Sequence, residues 1–84
     1  MKRIAVIGAV LDDPKNTQEK FNSIISENMD IIKGRFGIPF NEHNIGVISI
    51  TVVAEMDRIN NITGKLGLIP GVLVKTAVSK KEID

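Results

Sequence analysis

Two helical hydrophobic periods set among four β-branched runs leave this chain very few folds to choose from. Residues 45–54 form the clearest strand, β-branched almost throughout. Residues 3–11 are rich in Ile, Val and Ala, too short for a stable helix, and stopped by Asp12-Asp13-Pro14; they read as a buried strand. Residues 31–36 and 72–78 are the other two strand runs. Gly37, Pro39, Asn41 and Asn44 mark a loop after the second run, and Pro70-Gly71 marks a turn before the last. Between the strands, Thr17, Phe21, Ile24 and Ile25 recur at helical spacing, and so do Met56, Ile59, Ile62, Thr63 and Leu66. Pro14 suits a first helical turn, Asn16 with Glu19 resembles a capping box, Asn28 is a helix stop, and Gly67 sits where a C-terminal cap belongs. The order strand, helix, strand, strand, helix, strand predicts an α+β, ferredoxin-like βαββαβ fold. Its four-stranded antiparallel sheet carries both helices on one face.

With 84 residues, one domain spanning 1–84 is expected, with an ordered core over about 3–78 and a frayed polar tail. A domain of this size buries only about 60–65% of its unfolded surface, so its core is thin and a partner subunit would help. The absence of cysteine excludes a disulfide scaffold, a thiolate nucleophile and cysteine-ligated metal. A net charge of +1 argues against direct nucleic-acid binding. No apolar run approaches the ~20 residues that span a bilayer. Met1-Lys2-Arg3 and the apolar run after it lead into Asp12-Asp13-Pro14 rather than a small-residue cleavage site, so the expected location is cytoplasmic.

The strands themselves carry the most informative oddity. With two helices on one face, the other face should turn polar if it meets water. The outer strands do so only through Lys33, Arg35 and Lys75. In the first strand Ile4, Val6, Gly8 and Val10 alternate with Ala5, Ile7, Ala9 and Leu11, so both faces are apolar. In the third, Ile48, Ile50 and Val52 alternate with Val47, Ser49, Thr51 and Val53. A covered face, completed by a second subunit or another protein, is the economical explanation. The competing explanation is a solvated face softened by Ser49 and Thr51.

Groups for catalysis are scarce. His43 is the one histidine, in a polar loop, offering a single donor; no metal and no cofactor are expected, unless symmetry assembles several copies of His43 at an interface. Asp12 and Asp13 are adjacent and better explained by turn chemistry than as an acid–base pair. The Gly64-Lys65 pair lacks the remainder of a phosphate-binding loop. RNA-recognition modules on this fold stack bases on sheet aromatics, and the central strands here carry none. Acylphosphatases share the topology but place an arginine in a glycine-rich loop where this chain has Leu11-Asp12-Asp13-Pro14.

Three stretches, Ile32-Lys33-Gly34-Arg35-Phe36-Gly37-Ile38-Pro39, Gly46-Val47-Ile48-Ser49-Ile50 and Gly64-Lys65-Leu66-Gly67-Leu68-Ile69-Pro70-Gly71-Val72, carry a resemblance. They are similar to a family of stand-alone ACT-like domains described as iron-only hydrogenase system regulators, akin to the C-terminal domain of the nickel-responsive repressor. The resemblance runs from Arg3 to Lys80. It implies a non-catalytic regulatory domain that assembles as a dimer or tetramer and binds a small effector, such as an amino acid, between subunits. In ACT domains the loop after the first strand and the start of the first helix line the effector pocket. In this sequence that is Leu11, Asp12, Asp13 and Asn16, where a carboxylate suits an ammonium group and free helix amides suit a carboxylate. Asp12-Asp13-Pro14 replaces the glycine usual in that loop. The repressor's histidine and cysteine ligands have no equivalent set, and its DNA-binding domain has no counterpart, so transcriptional regulation would act through a protein partner. Arg35 and Gly37 form a second cluster with Pro39. Arg35 suits an anionic ligand at an interface; alternatively Gly37 and Pro39 shape the hairpin connection and Arg35 is a solvated or interface-pairing charge. The expected function is therefore an effector-binding, self-associating regulator, and the alternative is an oligomerisation or protein-interaction module without a ligand.

Overall fold

The computed structural model describes residues 1–84. Its elements are β1 (Lys2–Asp12), α1 (Pro14–Glu27), β2 (Ile32–Phe40), β3 (Ile45–Ala54), α2 (Met56–Gly67) and β4 (Val72–Ile83). All strand pairs are antiparallel and the sheet order is β2-β3-β1-β4. This is the ferredoxin-like βαββαβ arrangement that the sequence order implies.

Strand alternation and helical period converge on one layer of core. Ala5, Ile7, Ala9 and Leu11 of β1 and Ile50, Val52 and Ala54 of β3 meet Phe21 and Ile25 of α1 and Ile59, Ile62 and Leu66 of α2. Only 16 of the 84 residues are buried, 14 of them in this cluster, so the thin core is a single layer between sheet and helices. Thr63 Oγ1 lies 2.9 Å from Thr76 Oγ1, tying α2 to β4. Asn28 ends α1, its Nδ2 donating to the Ile24 carbonyl at 2.8 Å and its N–H to that of Ile25. Arg58 of α2 donates to both Asp30 carboxylate oxygens and to Asn28 Oδ1, clamping the 3-10 turn Met29–Ile31 that leads into β2. These hydrogen bonds hold the Asp30 carboxyl below its usual range and raise the Arg58 guanidinium.

Several local expectations are corrected. Gly37 and Pro39 do not form the hairpin connection: they pair with Ile48 and Gly46 as part of β2, and the connection is only the 3-10 turn Asn41–His43 and Asn44. An edge strand is hydrogen-bonded along one side only, so it tolerates a proline. A register shift between Ile32 and Gly34 changes the phase of β2. Arg35 consequently lies on the helix side, where its Nη2 donates to Asn22 Oδ1 at 2.7 Å, and Phe36, Ile38 and Phe40 fall on the helix-free side. Asn16 and Glu19 make no capping box, because α1 begins earlier, at Pro14 with Asp13 as its N-cap residue. Gly67 is the last residue of α2, without a left-handed φ. The expected frayed tail continues β4 instead, Glu82 and Ile83 pairing with Arg3 and Lys2 beyond an irregularity in the ladder.

Candidate functional site

Three chain connections meet at one end of the sheet and set the position of α1. Asp13 must turn the chain out of β1 into the helix in one residue, and it does so in the left-handed region at φ 49. Aspartate is among the few residues that take this conformation readily. Its N–H donates to the Asn44 carbonyl at 3.0 Å. Its carboxylate accepts from Asn16 Nδ2 on one oxygen and from Asn44 Nδ2, at 3.3 Å, on the other. Asn44 is itself left-handed at φ 55. Thr17 Oγ1 lies 3.1 Å from the Asp12 carbonyl and 3.3 Å from that of Asp13. The Asp12 N–H donates to the Gly71 carbonyl at 2.8 Å. The β1–α1, β2–β3 and α2–β4 turns are thus knotted together.

That knot holds α1 above β1 and leaves β2 without a helix over it. Between the polar side of α1 and the β2–β3 edge runs an open groove of about 780 Å³. Its wall is Pro14, Lys15, Gln18, Glu19 and Asn22; its floor includes Leu11, Gly37, Pro39, Gly46 and Ile48. The space follows from side-chain size. Gly37 and Gly46 contribute none, and the Pro14 ring comes so close to Gly46 that an added Cβ would lie 3.4 Å from it. Arg35 bridges to Asn22 on the wall. The groove therefore offers one ammonium, one carboxylate, the four carboxamides of Gln18, Asn22, Asn41 and Asn44, and an apolar floor, a set suited to a small polar or zwitterionic molecule.

The expected site residues do not all face this groove. Leu11 is buried in its floor and Gly37 lines it; Arg35 adjoins it through Asn22. Asp12 alternates to the helix-free side of β1, and Asp13 and Asn16 are hydrogen-bonded to each other at the start of α1. Lys15, Gln18, Glu19 and Asn22 escaped sequence reasoning. Their spacing of three, four and seven was a helical stripe in plain sight, but a polar stripe reads as a solvated face until its neighbour is known. Gly46, in a strand of β-branched residues, was the other available signal. His43 sits in the 3-10 turn beside Glu42, and no three His, Cys, Asp or Glu side chains gather as a metal site. No helix is long and apolar enough to cross a membrane.

A family model matches residues 3–76. The chain belongs to the TM1266-like family. That family is described as "Iron-only hydrogenase system regulator, putative", so the role attached to it is regulatory. The structure of the uncharacterized protein TM1266 from Thermotoga maritima is similar at a TM-score of 0.91 and 31% identity, covering 95% of this chain and 100% of that one. The C-terminal domain of the MgtC protein from Mycobacterium tuberculosis shares the fold at a TM-score of 0.61 and 17% identity, with 93% and 88% covered. No curated protein matches the chain in sequence.

Proposed function

We propose that this TM1266-like chain is a non-catalytic, cytoplasmic regulatory domain that self-associates through its sheet as a dimer or tetramer. It takes a small effector in the groove between α1 and the β2–β3 edge. The observation that carries the effector half is the floor of that groove: Gly37, Pro39 and Gly46 keep it open beneath Lys15, Gln18, Glu19 and Asn22. A volume of about 780 Å³ lies within the usual range for small-molecule sites. Regulation then means that the effector binds one subunit arrangement better than another, and a protein partner reads the difference.

Thermal unfolding in the presence of amino acids, nucleotides and divalent metals tests the effector. A ligand at a hundred times its Kd stabilises the folded chain by about 2.7 kcal/mol, a clear rise in Tm. No rise across all three classes overturns effector binding and leaves the protein-interaction module. That second reading is favoured by the exposed apolar side chains on the helix-free face, Phe36, Ile38, Phe40 and Leu73 among them.

A further inference from the structure

We infer that the helix-free face of the sheet closes on the same face of a second copy, with β2 of each copy lying over β4 of the other. The inference rests on the self-association proposed above and specifies its geometry. The strand register aligns Phe36, Ser49, Gly8 and Lys75 in one row across the four strands. The neighbouring row is Ile38, Val47, Val10 and Leu73, apolar from edge to edge. Phe36 and Leu73, at opposite edges, are each 62% exposed. Within these rows the one charge is Lys75, at the end opposite Phe36.

Two features point to a close-packed neighbour. Gly8 lies mid-strand with no left-handed φ, and an added Cβ would meet nothing nearer than the Lys75 carbonyl oxygen at 3.8 Å. The chain itself does not need a glycine there, and bare backbone on an exposed strand marks close approach from outside. The face is also large enough. Four strands about 4.8 Å apart and about nine residues long project on the order of 600 Å². Side-chain relief brings this toward the ~800 Å² per partner of a standard interface.

The rows are complementary to their own reversal, which is what selects a second copy as the occupant. A two-fold axis parallel to the strands, midway between β1 and β3, reverses strand order in the facing sheet. Phe36 then covers the partner's Lys75, Ser49 the partner's Gly8, Leu73 the partner's Ile38, and Val10 the partner's Val47. Aligned sheets pack face to face about 10 Å apart in this way, and an ammonium group over an aromatic ring is attractive. A two-fold axis running across the strands would instead lay β4 over β4 and bring both Lys75 charges to one edge. A nucleic-acid strand fits poorly, because Lys75 shares this face with Asp12.

Sedimentation equilibrium of the full chain tests the geometry. The wild type is expected at twice the 9.2 kDa chain mass. Phe36→Lys sets cation against cation at two places and should raise the dimer Kd about a hundredfold, tenfold per contact. Lys75→Phe should remain dimeric, and the exchange Phe36→Lys with Lys75→Phe should restore the wild-type Kd to within about threefold. Far-UV circular dichroism of each variant at low concentration checks that the fold is kept, with Leu73→Glu as a second disrupting variant should Phe36→Lys not fold. A monomeric wild type overturns self-association and geometry together. A dimer indifferent to Phe36→Lys and Leu73→Glu, or not restored by the exchange, overturns this geometry alone.

Discussion

Replacing Gly71 by alanine probes the knot that fixes α1 over the groove. Gly71 has φ 85, and an added Cβ would lie 3.1 Å from Thr17 Cγ2 and 3.5 Å from the Asp12 carbonyl oxygen. A left-handed conformation costs an L-residue roughly 1–2 kcal/mol. Thr17 is buried, and its hydroxyl is held near the carbonyls of Asp12 and Asp13. Moving its methyl aside therefore sacrifices a hydrogen bond worth about 1 kcal/mol. Gly71→Ala should destabilise by about 2–3 kcal/mol. For a domain of this size that lowers Tm by about 10–20 °C. Urea unfolding followed by circular dichroism, at one fixed protein concentration because the proposed association would add stability, should show a lower midpoint with an unchanged slope. Thr17→Ser removes the clashing methyl but keeps the hydroxyl, at about 0.8 kcal/mol for the lost burial. In the Gly71→Ala background it should cost nothing or recover stability, a coupling of about 0.8–1.5 kcal/mol. A Gly71→Ala variant within about 0.5 kcal/mol of wild type, the scatter of an ordinary surface change, or a strictly additive cycle, refutes the reasoning.

Other perturbations separate the core, the groove and the clamp at Asp30. Phe21→Ala empties the largest side chain of the single-layer core and should cost about 3–5 kcal/mol in chemical unfolding, enough to leave the chain largely unfolded if it is marginal. Gly37→Leu should abolish any effector-induced rise in Tm while leaving the unliganded Tm nearly unchanged. Its Cβ meets only the Val47 carbonyl oxygen at 3.9 Å, and the rest of the side chain occupies the groove. Asp30 titrates lower in the folded chain than in the unfolded one because of Arg58. Its contribution is therefore present above the ordinary aspartate pKa and lost as pH falls through the lowered folded value. The stability difference between wild type and Asp30→Asn should be flat above pH ~5 and shrink on acidification; growth on acidification contradicts that sign.

Element order was legible because two independent periods, 2 and 3.6, alternate along the chain without conflict. Phe21, Ile25, Ile59, Ile62 and Leu66 all lie where the helical period puts them. Strand phase was less legible. The register shift after Ile32 depends on pairing with β3, which no local pattern encodes, so Arg35 and Phe36 exchange faces relative to expectation. Gly37 and Pro39 looked like loop residues because propensity describes an average strand, whereas an edge strand is relieved of half its ladder. For the site, Leu11 and Gly37 fell in the groove but its polar wall was missed. A helix stripe shows which residues are polar, and only the tertiary fold shows what they face.

The placement of β2 joins the two surfaces proposed above. Gly37 and Pro39 form part of the groove floor, while Phe36, Ile38 and Phe40 stand on the other side of the same strand. Apart from Ile32, every residue of β2 is exposed, and β3 is its only ladder partner. A strand held on one side and uncovered on both faces is the part of the sheet that shifts most cheaply. A molecule that displaces Gly37 must displace Phe36 and Ile38 as well, because the backbone links them rigidly over one or two residues. Given the proposed effector and the proposed dimer, occupancy of the groove and closure of the sheet face would be linked, and linkage is reciprocal: whatever factor an effector contributes to the dimer, the dimer contributes to the effector. Calorimetric titration above and below the dimer dissociation constant should give effector affinities differing by about 5–150-fold, the usual span of such coupling. Equal affinities at the two concentrations would mean that β2 does not carry the signal.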